Sequence, residues 1–102
     1  MAQIWRHGDR TPIYTYPNDP NKEAAWAQGF AELTTRGMAE QVQLGKFLGR
    51  RYMDQLGFLS KQYRSNEIFV ISTDTNRTIQ SATANLIGMY GPGARWGIGG
   101  NW

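Results

Sequence analysis

The chain has 102 residues, a net charge of +3, 40% apolar and 19% charged residues, no cysteine and a single histidine. Those numbers allow one small globular domain and exclude a disulfide framework, a thiolate nucleophile and a cysteine metal site. So mild a charge excess favours anionic ligands in general, and no apolar run reaches the length of a membrane span or of a signal-peptide core.

Ile4 and Trp5, with Ala2, leave room only for a very short first strand, which leads at once into "RHGDRTP", residues 6 to 12. Residues 11 to 33 carry three prolines among Asn18, Asp19 and Asn21. This is turn chemistry and predicts a long loop, with one helical turn near Glu23 to Trp26. Helical periodicity follows. Thr34 or Thr35 is the candidate N-cap of an amphipathic helix over residues 36 to 56, fraying near Gly57. Met38, Val42, Gly45, Leu48, Tyr52, Leu56 and Leu59 form its expected buried stripe, whereas Glu40, Gln43, Lys46, Arg50 and Asp54 face away and Phe47 breaks the pattern.

Ile68, Phe69, Val70 and Ile71 make a short apolar run that suits a strand buried on both faces. Ser72, Thr73, Asp74 and Thr75 supply capping chemistry before a second helix. Its stripe is Ile79, Ala82, Thr83, Leu86 and Tyr90, stopped at Gly91, Pro92 and Gly93. Residues 94 to 102 read as an aperiodic, glycine-rich tail. Strand, helix, strand, helix is the order of an α/β fold with a parallel sheet.

In such a sheet both strand ends lie on one side, so the loops carrying Arg6, His7 and Arg10 and Asp74 and Arg77 are expected to converge. Three guanidinium groups match a multi-oxygen anion such as phosphate, and a helix N-terminus adds free N–H groups. Flanking cations favour the neutral, nucleophilic imidazole of His7, which makes covalent phosphoryl transfer a reasonable chemistry. Taken one at a time, each arginine also reads as a surface charge paired with Asp9 or Asp74. A nucleic-acid surface is disfavoured, because the aromatics are scattered and no basic stripe interleaves with them. No ligand cluster points to a metal or other cofactor.

"RHGDRTP", "PNDPNKEAAWAQGFAELTTRGM" and "STDTNRTIQSA" resemble, in order and spacing, the histidine acid phosphatases. The resemblance implies the histidine-phosphatase, phosphoglycerate-mutase-like α/β fold, here a parallel-sheet fragment with flanking helices. It also implies hydrolysis of phosphomonoesters at acid pH through a phosphohistidine on His7. Arg6, Arg10 and Arg77 would bind the phosphate. Asp9 and Asp74 are supporting carboxylates, expected to orient an arginine or, for Asp74, to cap the second helix. Thr11 and Pro12 shape the loop. The sequon at Asn76 would lie beside the phosphate, a poor place for a glycan.

Family members are secretory or lysosomal, and their second motif, a histidine followed by the proton-donating aspartate, has no counterpart in a chain whose one histidine is His7. Residues 1 to 102 are therefore expected to be the N-terminal part of a longer domain, weakly active or inactive alone. The competing expectation is a catalytically dead phosphate-binding fragment. Exposed sheet edges give a further expectation, self-association.

Overall fold

The computed structural model describes residues 2–14, 16–23, 26, 29–92 and 99–100. Helix α1, Thr35–Gly49, begins where Thr34 adopts extended backbone and its hydroxyl accepts the Gly37 N–H. It runs directly into a π-helical turn, Arg50–Gln55, and Gly57 ends the helical path with φ +59°, a left-handed conformation that glycine adopts freely. Strand β1, Ile71–Ser72, precedes helix α2, Asn76–Tyr90, and strand β2, Gly99–Gly100, pairs with β1 in parallel, Ile71 opposite Gly99 and Ser72 opposite Gly100. Gly91, at φ +90°, closes α2 by donating its N–H to Ile87 O at 2.8 Å.

The two helices pack on each other through small residues. Gly37, Gln41, Gly45 and Gly49 form the buried face of α1, continued by Met53 in the π turn. Against them α2 sets Ser81, Ala82, Ala84, Asn85 and Leu86. A Cβ placed on Gly45 would run into the Asn85 carbonyl, and one on Gly88 into the Val42 carbonyl. The backbones thus touch directly. Val70, Ala82 and Leu86 form the core beneath, with Trp5, Ile68, Met89 and Tyr90 packed around it.

Three sequence expectations are corrected here. Of the expected α1 stripe Gly45 is buried and Val42, Leu48 and Tyr52 are half-buried, but Met38 and Leu56 are exposed and the buried face runs instead through Gly37, Gln41 and Gly49; Glu40, Gln43, Lys46, Arg50 and Asp54 are exposed as expected. The reason is that glycine-mediated contact carries no hydrophobic signal. The expected strand at residues 68 to 71 shrinks to Ile71–Ser72, with Phe69 79% and Ile71 66% exposed, so the run is not buried on both faces. The expected first strand does not form. Segments 2–7 and 67–73 instead both line a groove of about 690 Å³, together with Leu48, Tyr52 and Met89, and the partner of β1 is a glycine pair from the region expected to be aperiodic. Trp26 N–H bonds Glu23 O at 3.0 Å, one turn where one was expected; residues 24 and 25, Gly93 and residues 94–98 lie outside the described residues.

Candidate functional site

The backbone of "RHGD" is clamped between the two helices. On one side Gly8 lies on the first turn of α1, where a Cβ at Gly8 would meet the Gly37 carbonyl oxygen at 2.5 Å and one at Gly37 would meet the Asp9 carbonyl. Both positions therefore require glycine. The polar groups of the segment are taken up in the same way. Gln41 Nε2 donates to Arg6 O at 3.1 Å, Asp9 N–H to Glu40 Oε1 at 3.1 Å, and Thr34 N–H to Asp9 O at 2.9 Å. On the other side Gly8 N–H donates to Ser81 Oγ of α2 at 3.1 Å. A loop whose donors and acceptors are matched in this way is held in one conformation.

His7 is half-buried, and its Nδ1 lies 2.8 Å from Gly8 O. A carbonyl only accepts, so Nδ1 carries the proton in this contact, and the neutral ring keeps its lone pair on Nε2. Arg6 is exposed and Arg10 half-buried. Arg10 forms an antiparallel bridge with Leu33, and its Nη1 donates to Thr11 O at 2.9 Å.

Buried Thr11 shapes the loop that backs them. Its hydroxyl donates to Gly29 O at 2.6 Å and accepts the Glu32 N–H at 3.0 Å, while Ala31 N–H bonds Pro12 O at 2.7 Å. Ala31 takes φ +61°, an uncommon conformation for a residue with a Cβ. Its carbonyl faces Arg77, whose Nη1 lies 3.4 Å away, at the long limit of a hydrogen bond, and whose Nε is buried without a partner among the described residues.

The ends of the two loops are thus joined: Gly8 bonds α2 one turn beyond Arg77, and Arg77 reaches the segment that pairs with Arg10 and Thr11. Among the described residues no carboxylate forms an ion pair with Arg6, Arg10 or Arg77. Among the described residues the ion pairs are Arg36–Glu40 and Lys61–Asp54, both on exposed side chains. Asp9 turns its carboxylate to the Thr34 hydroxyl, 2.8 Å away, and among the described residues it pairs with no arginine, in contrast to the expected orienting role. Asp74 is exposed and does not cap α2. The N-cap is Thr75, in extended backbone next to the helix, and Thr78 Oγ binds the turn through Thr73 O at 2.8 Å.

Sequence reasoning missed the residues that hold the loop: Thr34 in its contact with Asp9, Gly37, Glu40, Gln41 and Ser81. A glycine in a helix interior signals close approach, and Gly37 carried that signal. Among the described residues no helix is long and apolar enough to cross a membrane, and no three potential ligands gather as a metal site.

The family model of the histidine phosphatase superfamily (branch 2) matches residues 1–97. The chain belongs to that superfamily. Human testicular acid phosphatase is 46% identical over 105 residues, covering 94% of this chain and 24% of that protein, and human lysosomal acid phosphatase is 48% identical over 92 residues, covering 90% and 21%. Among solved structures, the phytase of Klebsiella sp. ASR1 superposes with a TM-score of 0.75 at 33% identity, covering 94% of this chain and 25% of that one. This histidine phosphatase sequence therefore spans about a quarter of the length of the relatives it matches, and its backbone follows the histidine-phosphatase fold.

Proposed function

We propose that the protein carrying this sequence hydrolyses phosphomonoesters at acid pH through a phosphohistidine on His7, with Arg6, Arg10 and Arg77 holding the phosphate. The observation that carries the reading is the His7 Nδ1–H bond to Gly8 O in a loop tied to α2 one turn beyond Arg77, whose Nε is buried without a partner among the described residues. The Nε2 lone pair attacks phosphorus, and the bond from phosphorus to the ester oxygen breaks. The leaving alcohol takes up a proton, and water then displaces phosphate from the imidazole and restores it. A positioned general acid is worth roughly 10² to 10⁴ in rate, so turnover by these 102 residues alone is slow or absent. Similarity to a protein named for the lysosome supports a secretory or lysosomal location.

The test is incubation of the full-length protein with a labelled phosphate ester. An acid-labile, base-stable phosphoenzyme forms and is lost in His7→Ala; absence of that species from the full-length protein overturns the mechanism. A second reading, phosphate binding without turnover, is favoured for these residues by the quarter-length coverage of relatives. It predicts phosphate affinity that falls in Arg77→Ala and no product. The reading extends to self-association: exposed Phe69 and Ile71 beside the two-residue ladder suit pairing with a second copy. Sedimentation of a strict monomer at high concentration would refute that.

A further inference from the structure

Ser81 is 1% exposed and sits at the junction of the two loops without a part in the chemistry above. Its hydroxyl donates to Arg77 O at 2.7 Å and accepts the Gly8 N–H at 3.1 Å. Arg77 and Ser81 are four residues apart on α2 and so share a helix face. One oxygen therefore ties the backbone turn that carries Arg77 to the residue that follows His7. Gly8 is held at both of its polar groups, its N–H by Ser81 and its carbonyl by the His7 Nδ1–H. Its other face rests on Gly37, which stops the loop from moving toward α1 but leaves its hold on α2 to Ser81.

We propose that Ser81 is a positioning residue for phosphoryl transfer, fixing the imidazole of His7 relative to the Arg77 turn. The proposal rests on the phosphohistidine reading. Ser81 is not assigned any contact with phosphate, so its loss acts on the alignment of attack rather than on anion affinity. A displacement on the order of 1 Å costs about a hundredfold in a rate that depends on alignment.

The experiment uses the full-length protein with Ser81→Ala and Ser81→Cys. Cysteine fills the place of the hydroxyl with a larger sulfur that is a weak hydrogen-bond partner. Rapid quenching reads the rate of phosphohistidine formation, competitive inhibition reads the affinity for inorganic phosphate, and circular dichroism reads the fold. The expected result is a rate lowered about tenfold or more in both variants, with phosphate affinity changed less than about threefold. A smaller drop in rate overturns the proposal, as does recovery in Ser81→Cys, which would assign the effect to volume. A parallel fall in phosphate affinity, or loss of the fold in both variants, also overturns it in favour of a general structural role. If the wild-type protein forms no phosphohistidine, the functional reading itself fails, an outcome separate from any behaviour of the Ser81 variants.

Discussion

Gly45→Ala and Gly49→Ala should change stability in opposite directions, although both replace a buried glycine in the same helix. In an unobstructed helix interior, glycine to alanine stabilises by about 0.5–1 kcal/mol, because glycine gives up more backbone freedom on folding. At Gly49 the new methyl would meet Met89 O at 3.5 Å, Met89 Cα at 3.6 Å and Met53 Sδ at 3.7 Å, all ordinary contacts, so the full gain is expected. At Gly45 it would overlap the Asn85 carbonyl and lie 3.0 Å from Gly88 Cα. Neither neighbour is the end of a flexible side chain, so the helices must separate, and overpacking of this kind costs about 1–3 kcal/mol. Set against the propensity gain, the net loss at Gly45 is up to about 2.5 kcal/mol and centred on ~1 kcal/mol. Urea unfolding of the full-length protein, with both variants in parallel, measures the difference. A Gly45→Ala protein as stable as Gly49→Ala would refute direct backbone contact between α1 and α2.

Thr34→Ala removes both the cap on Gly37 N–H and the hydroxyl that binds Asp9 Oδ2. It should destabilise by about 1 kcal/mol in urea unfolding, with Thr34→Ser close to wild type. Arg77→Ala should weaken inorganic phosphate binding about ten- to a hundredfold in calorimetric titration, the range for losing hydrogen bonds from a charged donor; an unchanged affinity would remove Arg77 from the anion site. Glu67 accepts the Ser60 N–H at 3.0 Å and the Ser60 hydroxyl at 2.8 Å, and these bonds, the backbone one foremost, hold its carboxyl below the usual glutamate range. Because the folded value is depressed, the contribution of the turn is full above the unfolded value and is lost as pH falls through the folded one. Hydrogen exchange at Ser60 should therefore quicken toward acid relative to the intrinsic rate, and Glu67→Gln should abolish that dependence.

What was legible in the sequence was local. Thr34 as a cap, Gly57 and Gly91 as stops, and the exposed positions Glu40 to Asp54 follow from chemistry within one turn of each residue. His7, Arg6 and Arg10 stand out as one group in the sequence because the three are nearly contiguous, and their roles rest on the proposed reading. The buried face of α1 was legible only at Gly45, because Gly37, Gln41 and Gly49 offer no apolar side chain to count and the closest contacts are between backbones. Strand β2 escaped for a related reason: strand signals come from branched and aromatic side chains, and β2 is Gly99–Gly100. The groups that clamp the loop were out of reach as well. Thr34 bonds Asp9 across 25 positions and Ser81 bonds Gly8 across 73, distances over which no periodic pattern carries information.

Glycine against backbone is used twice along α1, and the two uses are coupled. Gly37 receives the loop of His7, and Gly45 receives α2, whose first turn bears Arg77. The two contacts lie eight residues apart on one helix, about 12 Å along its axis. On the proposed reading the helix acts as a rigid spacer between His7 and Arg77, with Ser81 closing the triangle on the far side. Each buried glycine lowers helix propensity by about 0.5–1 kcal/mol relative to alanine, a cost that fits a requirement for close approach better than one for stability alone. It follows that Gly45→Ala should do more than destabilise. By pushing α2 away from α1 it should move Arg77 relative to His7 and slow phosphohistidine formation at temperatures where the protein is still folded, whereas Gly49→Ala, which displaces nothing, should leave that rate within about twofold of wild type. Equal rates in the two variants would show that the loop follows α2 rather than α1.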